Sequence, residues 1–294
     1  MKKRASTMKT SAFMQAVHRN RYCIYSFFIA AAIMLFVYIV YKFIPFGEMS
    51  ILRMDLYHQY GPLFAELYER VTNLDSLLYS WTSGLGSSFT GNYLNYLASP
   101  IGDLIMLIAG HDNMPEAIAV MVLIKAAMSA ATFTYFINNY FGRRDMSSCA
   151  FSVLYAFCGF FVAYYWNIMW LNGMVLFPLV VLGIVKIIEG KTPWLYLAAL
   201  TMSMLSSYYM AYMICLLSVI WFLVYFFGHY SFESVMTEYD LKLTKRAYNS
   251  LSGSDKSKLT RRNLYNNRFF HTGVKFAASS FLAFGLSAAA LIPL

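Results

Sequence analysis

Residues 22–41, YCIYSFFIAAAIMLFVYIVY, decide the fold class, because these 20 residues carry no charged side chain. A helix rising about 1.5 Å per residue needs roughly 20 apolar residues to cross the hydrocarbon core of a bilayer, so the stretch reads as a membrane-spanning helix. A cleavable signal peptide has a shorter apolar region followed by a small-residue cleavage site. Here the run ends in Lys42-Phe43-Ile44-Pro45, and the helix is kept in the mature protein.

The composition agrees with that reading. Hydrophobic residues make up 59% of the chain and charged residues 13%, and the mean hydropathy is +0.52. These values exclude a soluble domain built around one core. The net charge of +9 could suggest a nucleic-acid partner, but that reading needs the basic residues on one accessible surface. They are distributed by topology instead, and no nucleic acid is expected.

Further spans are predicted at Pro115 to Tyr140, Ser147 to Tyr165, Leu171 to Ile188, Pro193 to Ser207, Tyr209 to Phe227 and Thr272 to Leu294. The run Tyr96 to Gly110 is apolar but short and carries Asp103, so it reads as a re-entrant or interfacial helix. With the amino terminus cytoplasmic, positive charge falls inside. Lys2, Lys3, Arg4, Lys9, Arg19 and Arg21 precede the first span, Arg143 and Arg144 follow the second, and Lys186 and Lys191 flank the turn after the fourth. Eight more basic residues lie between Lys242 and Arg268. The segment Lys42 to Pro115 holds only Lys42, Arg53 and Arg70 against seven acidic residues, which makes it the external loop. The expected fold is all-α: a polytopic bundle of about seven spans with short juxtamembrane helices in a long first external loop. Residues 1–21 form a cytoplasmic basic tail and residues 22–294 the transmembrane domain, with a cytoplasmic loop at 228–271. The last run stops at Leu291-Ile292-Pro293-Leu294, still apolar, which suggests that a longer protein continues beyond it.

Cys23, Cys149, Cys158 and Cys215 all fall inside predicted spans and form no Cys-x-x-Cys pair, which favours packing roles over disulfides or zinc. The candidate chemistry concentrates in the external loop. If residues 54–60 are helical, Asp55, His58 and Gln59 share one face. A carboxylate beside an imidazole and an amide can take a proton from a sugar or polyol hydroxyl. The plainer reading is that Asp55 caps a short helix and pairs with Arg53. Trp81, on a turn with Gly84 and Gly86, reads either as a platform for a pyranose ring or as an interface anchor. Trp166, Asn167, Trp170 and Asn172 invite the same two readings. Lys125 lies deep inside a span whose other charged residue, Glu116, stands at its very start, so it faces a cavity and suits a phosphate there, or it snorkels to the interface.

Taken together, Pro-Phe-Gly-x-x-Ser (Pro45 to Ser50), Asp-Leu-Tyr-His-Gln-Tyr (Asp55 to Tyr60), Tyr-Ser-Trp-x-x-Gly-Leu-Gly (Tyr79 to Gly86), Ala-Ser-Pro (Ala98 to Pro100) and the closing Leu-Ile-Pro resemble the bacterial YfhO family of membrane proteins. That family is related to the GT-C glycosyltransferases. The resemblance implies a GT-C-like enzyme that takes a sugar from a polyprenyl-phosphate carrier and adds it to a cell-wall polymer such as lipoteichoic acid, on the outer face of the bacterial cell membrane. By carry-over, Asp55 is the catalytic base, His58 and Gln59 orient the base or the acceptor, and Tyr60, Trp81 and Lys125 bind substrate. No cofactor is implied, and with no Asp-x-Asp pair the question of a divalent metal stays open. The competing function is a transporter or flippase of lipid-linked envelope precursors, which should show related halves with interrupted helices; no such repeat is evident. A noncatalytic scaffold would leave Asp55, His58 and Lys125 without a purpose.

Overall fold

The computed structural model describes residues 14–15, 17–229 and 261–291. Helix α1 (Arg21–Val40) takes in nearly all of the apolar run 22–41 and leads into a long loop. That loop contains a π-helical turn (Leu56–Tyr60), α2 (Gly61–Thr72), and a hairpin of β1 (Tyr79–Ser80) and β2 (Ser87–Ser88). After the hairpin come α3 (Phe89–Asn92), a second π-helical turn (Tyr93–Leu97) and α4 (Pro100–Ala109). The rest is helical: α5 (Met114–Tyr140), α6 (Met146–Ala156), α7 (Gly159–Tyr164), α8 (Ile168–Ile188), α9 (Trp194–Ser206), α10 (Tyr208–His229) and α11 (Arg261–Leu291).

Among the described residues, five helical stretches are long and apolar enough to cross a membrane: Arg21–Val40, Met114–Tyr140, Met146–Tyr164, Ile168–Ile188 and Tyr208–Gly228. Two of the seven predicted spans differ. The run from Pro193 yields α9, whose 13 residues reach only about 20 Å, because Ser207 takes an extended conformation and breaks it from α10. The run from Thr272 forms the second half of α11, a helix that opens on Arg261 and Arg262 and is not among the five. The predicted span Ser147 to Tyr165 is itself broken at Cys158, whose extended backbone separates α6 from α7. Residues 1–13 and 16 of the predicted basic tail and residues 230–260 of the predicted cytoplasmic loop 228–271 lie outside the described residues, while residues 261–271 of that loop are helical and begin α11.

Helices α5 and α8 form the buried centre. The inward surface of α5 is built from small side chains, Ala117, Ala119, Ala126, Ala127, Ser129 and Ala130, which let neighbouring backbones come close where burying apolar surface drives no association. On α8, Gly183 has the same function for α9: a Cβ there would lie 2.6 Å from the backbone N and Cα of Tyr196. Polar contacts fix the register. Tyr38 of α1 donates to the carbonyl of Ala119 at 2.8 Å. Thr134 Oγ1 lies 2.7 Å from Oγ of both Ser26 and Ser152, tying α1, α5 and α6 at one level.

The bundle holds two apolar clusters. One includes Tyr38, Leu56, Tyr60, Phe64, Ile118 and Leu171, so the long loop is packed down on α5 and the start of α8. The other joins α8 to α9, α10 and α11 through Ile184, Tyr196, Phe222, Phe226 and Phe276.

Candidate functional site

Asp55 opens the first π-helical turn. The residue before it, Met54, has φ 48°, a left-handed backbone that a non-glycine side chain adopts at a cost. In the turn that follows, Leu56 and Tyr60 point inward and are buried, Gln59 is half-buried, and Asp55 and His58 are exposed. The Tyr60 hydroxyl donates to Oδ1 of Asn167 at 3.0 Å, and its ring meets Tyr96 edge-on with centroids 5.9 Å apart. Burial first, and then the nearby Asp55 charge, push the Tyr60 hydroxyl above the usual tyrosine range. The plainer role predicted for Asp55 is not what the structure shows. Its side chain does not cap the turn, and among the described residues no ion pair joins it to Arg53.

His58 and Gln59 line an open cleft of about 700 Å³ together with Glu66, Glu69, Ser83 and Asn92. Glu66 organises this cleft. Its Oε1 accepts from Arg70 Nε at 2.9 Å and from Ser80 Oγ at 2.5 Å, and Oε2 takes a longer 3.5 Å contact from Ser83 Oγ. Partial burial alone would raise the Glu66 carboxyl, but hydrogen bonds from Ser80, Arg70 and Thr82 outweigh it and hold the group below the usual glutamate range. Arg70 also donates to the Ser76 carbonyl and places its guanidinium 4.7 Å from the Phe89 ring centroid, closing the loop that carries the hairpin. Glu69 pairs with His111 at 3.3 Å on the exposed side of α2.

The sequence-predicted residues are thus only partly gathered. His58 and Gln59 are in the cleft, and Asp55 stands at the start of the same turn without lining it. Trp81 is 78% exposed, touches Tyr79 edge-on at 4.9 Å, and lies outside the cleft that its neighbours Thr82, Ser83 and Gly84 line. Lys125 is elsewhere. It is only 5% exposed and does not snorkel: its Nζ donates to the Ile168 carbonyl at 3.0 Å. A separate small cavity of about 110 Å³ lies against it, lined also by Ser99, Asn172 and Ser206. Sequence reasoning missed Glu66, Glu69, Arg70 and Asn92. The one available signal was the four-residue spacing of Glu66 and Arg70 on a helix.

The four cysteines are free thiols. Among the described residues no three His, Cys, Asp or Glu side chains converge as a metal-binding set.

No curated protein and no solved structure matches this chain. A family model does, the one described as bacterial membrane protein YfhO, and the match runs over residues 26–294. Apolar helices of spanning length and the ordered motifs of the first loop agree with that match, and the chain belongs to the YfhO family of bacterial membrane proteins.

Proposed function

We propose that this membrane protein is a GT-C-like glycosyltransferase that moves a sugar from a polyprenyl-phosphate carrier to a cell-wall polymer such as lipoteichoic acid. The observation that carries the reading is an exposed carboxylate, Asp55, held on a strained turn whose next residues, His58 and Gln59, line a polar cleft large enough for sugar units. Glu66, Glu69, Ser83 and Asn92 supply the hydroxyls, amide and carboxylates that a polyhydroxylated acceptor needs as hydrogen-bond partners.

In this mechanism Asp55 takes the proton of the acceptor hydroxyl while that oxygen attacks the anomeric carbon. The bond from that carbon to the carrier phosphate breaks, and polyprenyl phosphate departs with the electron pair. The carrier phosphate is assigned to Lys125, whose side chain borders a small cavity separate from the cleft and would act on the phosphate as a point charge. In this reading the cleft lies on the outer face of the cell membrane, which the charge pattern of the loops supports.

Mass analysis of the sugar on wall polymers tests the reading. The glycan increment should be present with the intact gene and absent both from a deletion strain and from a strain carrying Asp55→Asn. Full glycosylation in the deletion strain would overturn the reading. Retained transferase chemistry in membranes with loss only of substrate translocation would favour a flippase.

A further inference from the structure

The hairpin Tyr79–Ser88 and its root divide sharply by polarity. Its polar residues Thr82, Ser83 and Ser87 line the cleft, and Ser80 and Ser83 are held there by Glu66. Among the described residues nothing covers its large apolar side chains: Leu85 at the tip is 101% exposed, Leu74 91%, Trp81 78% and Leu78 74%. Large apolar side chains left bare along one short segment mark a surface that is covered in the working protein.

Two observations identify the cover. First, no charged residue lies between Asp75 and Asp103, so the hairpin, α3 and the first residues of α4 contain nothing that must stay in bulk water. Second, the apolar surface is continuous with α4. Leu77 at the hairpin root lines a mostly apolar groove of about 490 Å³ together with Leu94, Met106 and Leu107, and Asp103, bonded to Tyr93, borders the same groove. Beyond that groove, α4 exposes Leu104, Leu107 and Ile108 on a helix of 10 residues, apolar but too short to span. Exposed leucines on an apolar non-spanning helix fit lipid, and the hairpin extends that same face. Trp81 and Tyr79 are residue types that settle at the headgroup level.

We propose that the hairpin Tyr79–Ser88 is a membrane-interface finger, with Leu85 and Trp81 inserted among the headgroups and upper acyl chains of the bilayer while its polar residues face the cleft. Its occupant is the lipid bilayer itself. The finger sets the mouth of the cleft at the level of the membrane surface, where a lipid-linked molecule presents its head. This holds whatever reaction the cleft performs, because it rests on the hairpin's own surface.

The experiment uses the full-length protein in nanodiscs of phosphatidylglycerol and phosphatidylethanolamine. The four native cysteines are replaced by alanine, and the fluorophore NBD is attached through Leu85→Cys or Ser87→Cys. Iodide should quench the probe at position 87 strongly and at position 85 weakly, and a headgroup-borne nitroxide lipid should quench position 85. Equal iodide quenching at both positions would overturn the proposal, placing the tip in water. Shielding of position 85 from both quenchers would also overturn it, because protein would then be the cover. A benzophenone amino acid at Leu85 in the otherwise unaltered chain gives an independent reading that survives a poorly folded cysteine-free variant. Irradiation should add the mass of a phospholipid, and crosslinking to protein alone would sink the idea.

Discussion

The hydroxyl of Tyr60 donates to Oδ1 of Asn167 at 3.0 Å, joining positions 107 residues apart. The next residue along, Ile168, gives its carbonyl to Lys125 Nζ at 3.0 Å. One turn further, Asn172 Nδ2 donates to the Ala98 carbonyl at 3.4 Å. The turn that begins α8 is therefore a common support: it holds the segment behind Asp55, the buried lysine of α5 and the entry to α4. Lys125 and the turn that Asp55 opens, far apart in sequence, thus rest on adjacent residues: Lys125 on Ile168 and Tyr60 of that turn on Asn167.

Tyr60→Phe tests that support. It leaves the buried Asn167 oxygen without its donor, which costs roughly 1–3 kcal/mol of stability. The thermal midpoint of the detergent-solubilised protein should fall. The double variant Tyr60→Phe with Asn167→Leu should lose less than the sum of the two single variants, since the unpaired group is gone. Strict additivity would mean that the two side chains do not interact.

Glu66 predicts a pH dependence. Its carboxyl is held below the usual glutamate range in the folded protein, so its contribution to stability is complete above the unfolded-state value. That contribution is lost as the pH falls through the folded-state value. The wild-type melting temperature should therefore drop more steeply under acid conditions than that of Glu66→Gln, while at neutral pH the variant is the less stable by roughly 1–3 kcal/mol. Parallel curves across the acid range would show that Glu66 does not organise the hairpin as described.

Lys125→Met removes the ammonium but keeps an unbranched chain in the pocket. Loss of a charged hydrogen bond to phosphate, worth roughly 1.5–3 kcal/mol, should raise the KM for the polyprenyl-phosphate donor about tenfold or more. The protein should still insert in the membrane. Stability alone does not decide the matter, because the Ile168 carbonyl also loses its donor. An unchanged dependence of rate on carrier concentration would reduce Lys125 to a helix-to-turn tie.

Much of the bundle is legible in the sequence because spanning helices need long uncharged runs, and residues 22–41 have no other reading. The break at Ser207 is legible as the gap between the predicted spans Pro193 to Ser207 and Tyr209 to Phe227, whereas the break at Cys158 is not, because the apolar run Ser147 to Tyr165 continues through it. The site divides in the same way. His58 and Gln59 were found through local spacing, but the turn is π-helical, and its wider register, which turns Tyr60 into the core, leaves no periodic trace in five residues. The partner of Lys125 is a backbone carbonyl 43 residues away, and a carbonyl carries no side-chain signature in any sequence. Glu66 and Arg70 had a readable four-residue spacing, yet only the folded loop shows that Ser80 and Ser83 complete their network.

Asp55 carries the chemistry of the proposed reaction, and its variants test it most directly. A general base contributes typically about 10²- to 10⁴-fold, so Asp55→Asn, which keeps the shape and removes proton acceptance, should depress turnover by about that factor. The amide side chain is tolerated by the fold, because Asp55 is exposed and neither caps its turn nor pairs with Arg53. Expression and melting temperature should hardly change, and this separates loss of catalysis from loss of structure. Asp55→Glu keeps the charge and moves it by one methylene; a misplacement of roughly 1 Å can cost about 100-fold. The two variants should therefore both be slow while remaining folded, with the pH dependence of the residual rate retained in the glutamate variant and flattened in the asparagine variant. Near-normal glycosylation by Asp55→Asn in the full-length protein would remove Asp55 from the mechanism, and Glu66 and Glu69 in the adjoining cleft would become the carboxylates to examine.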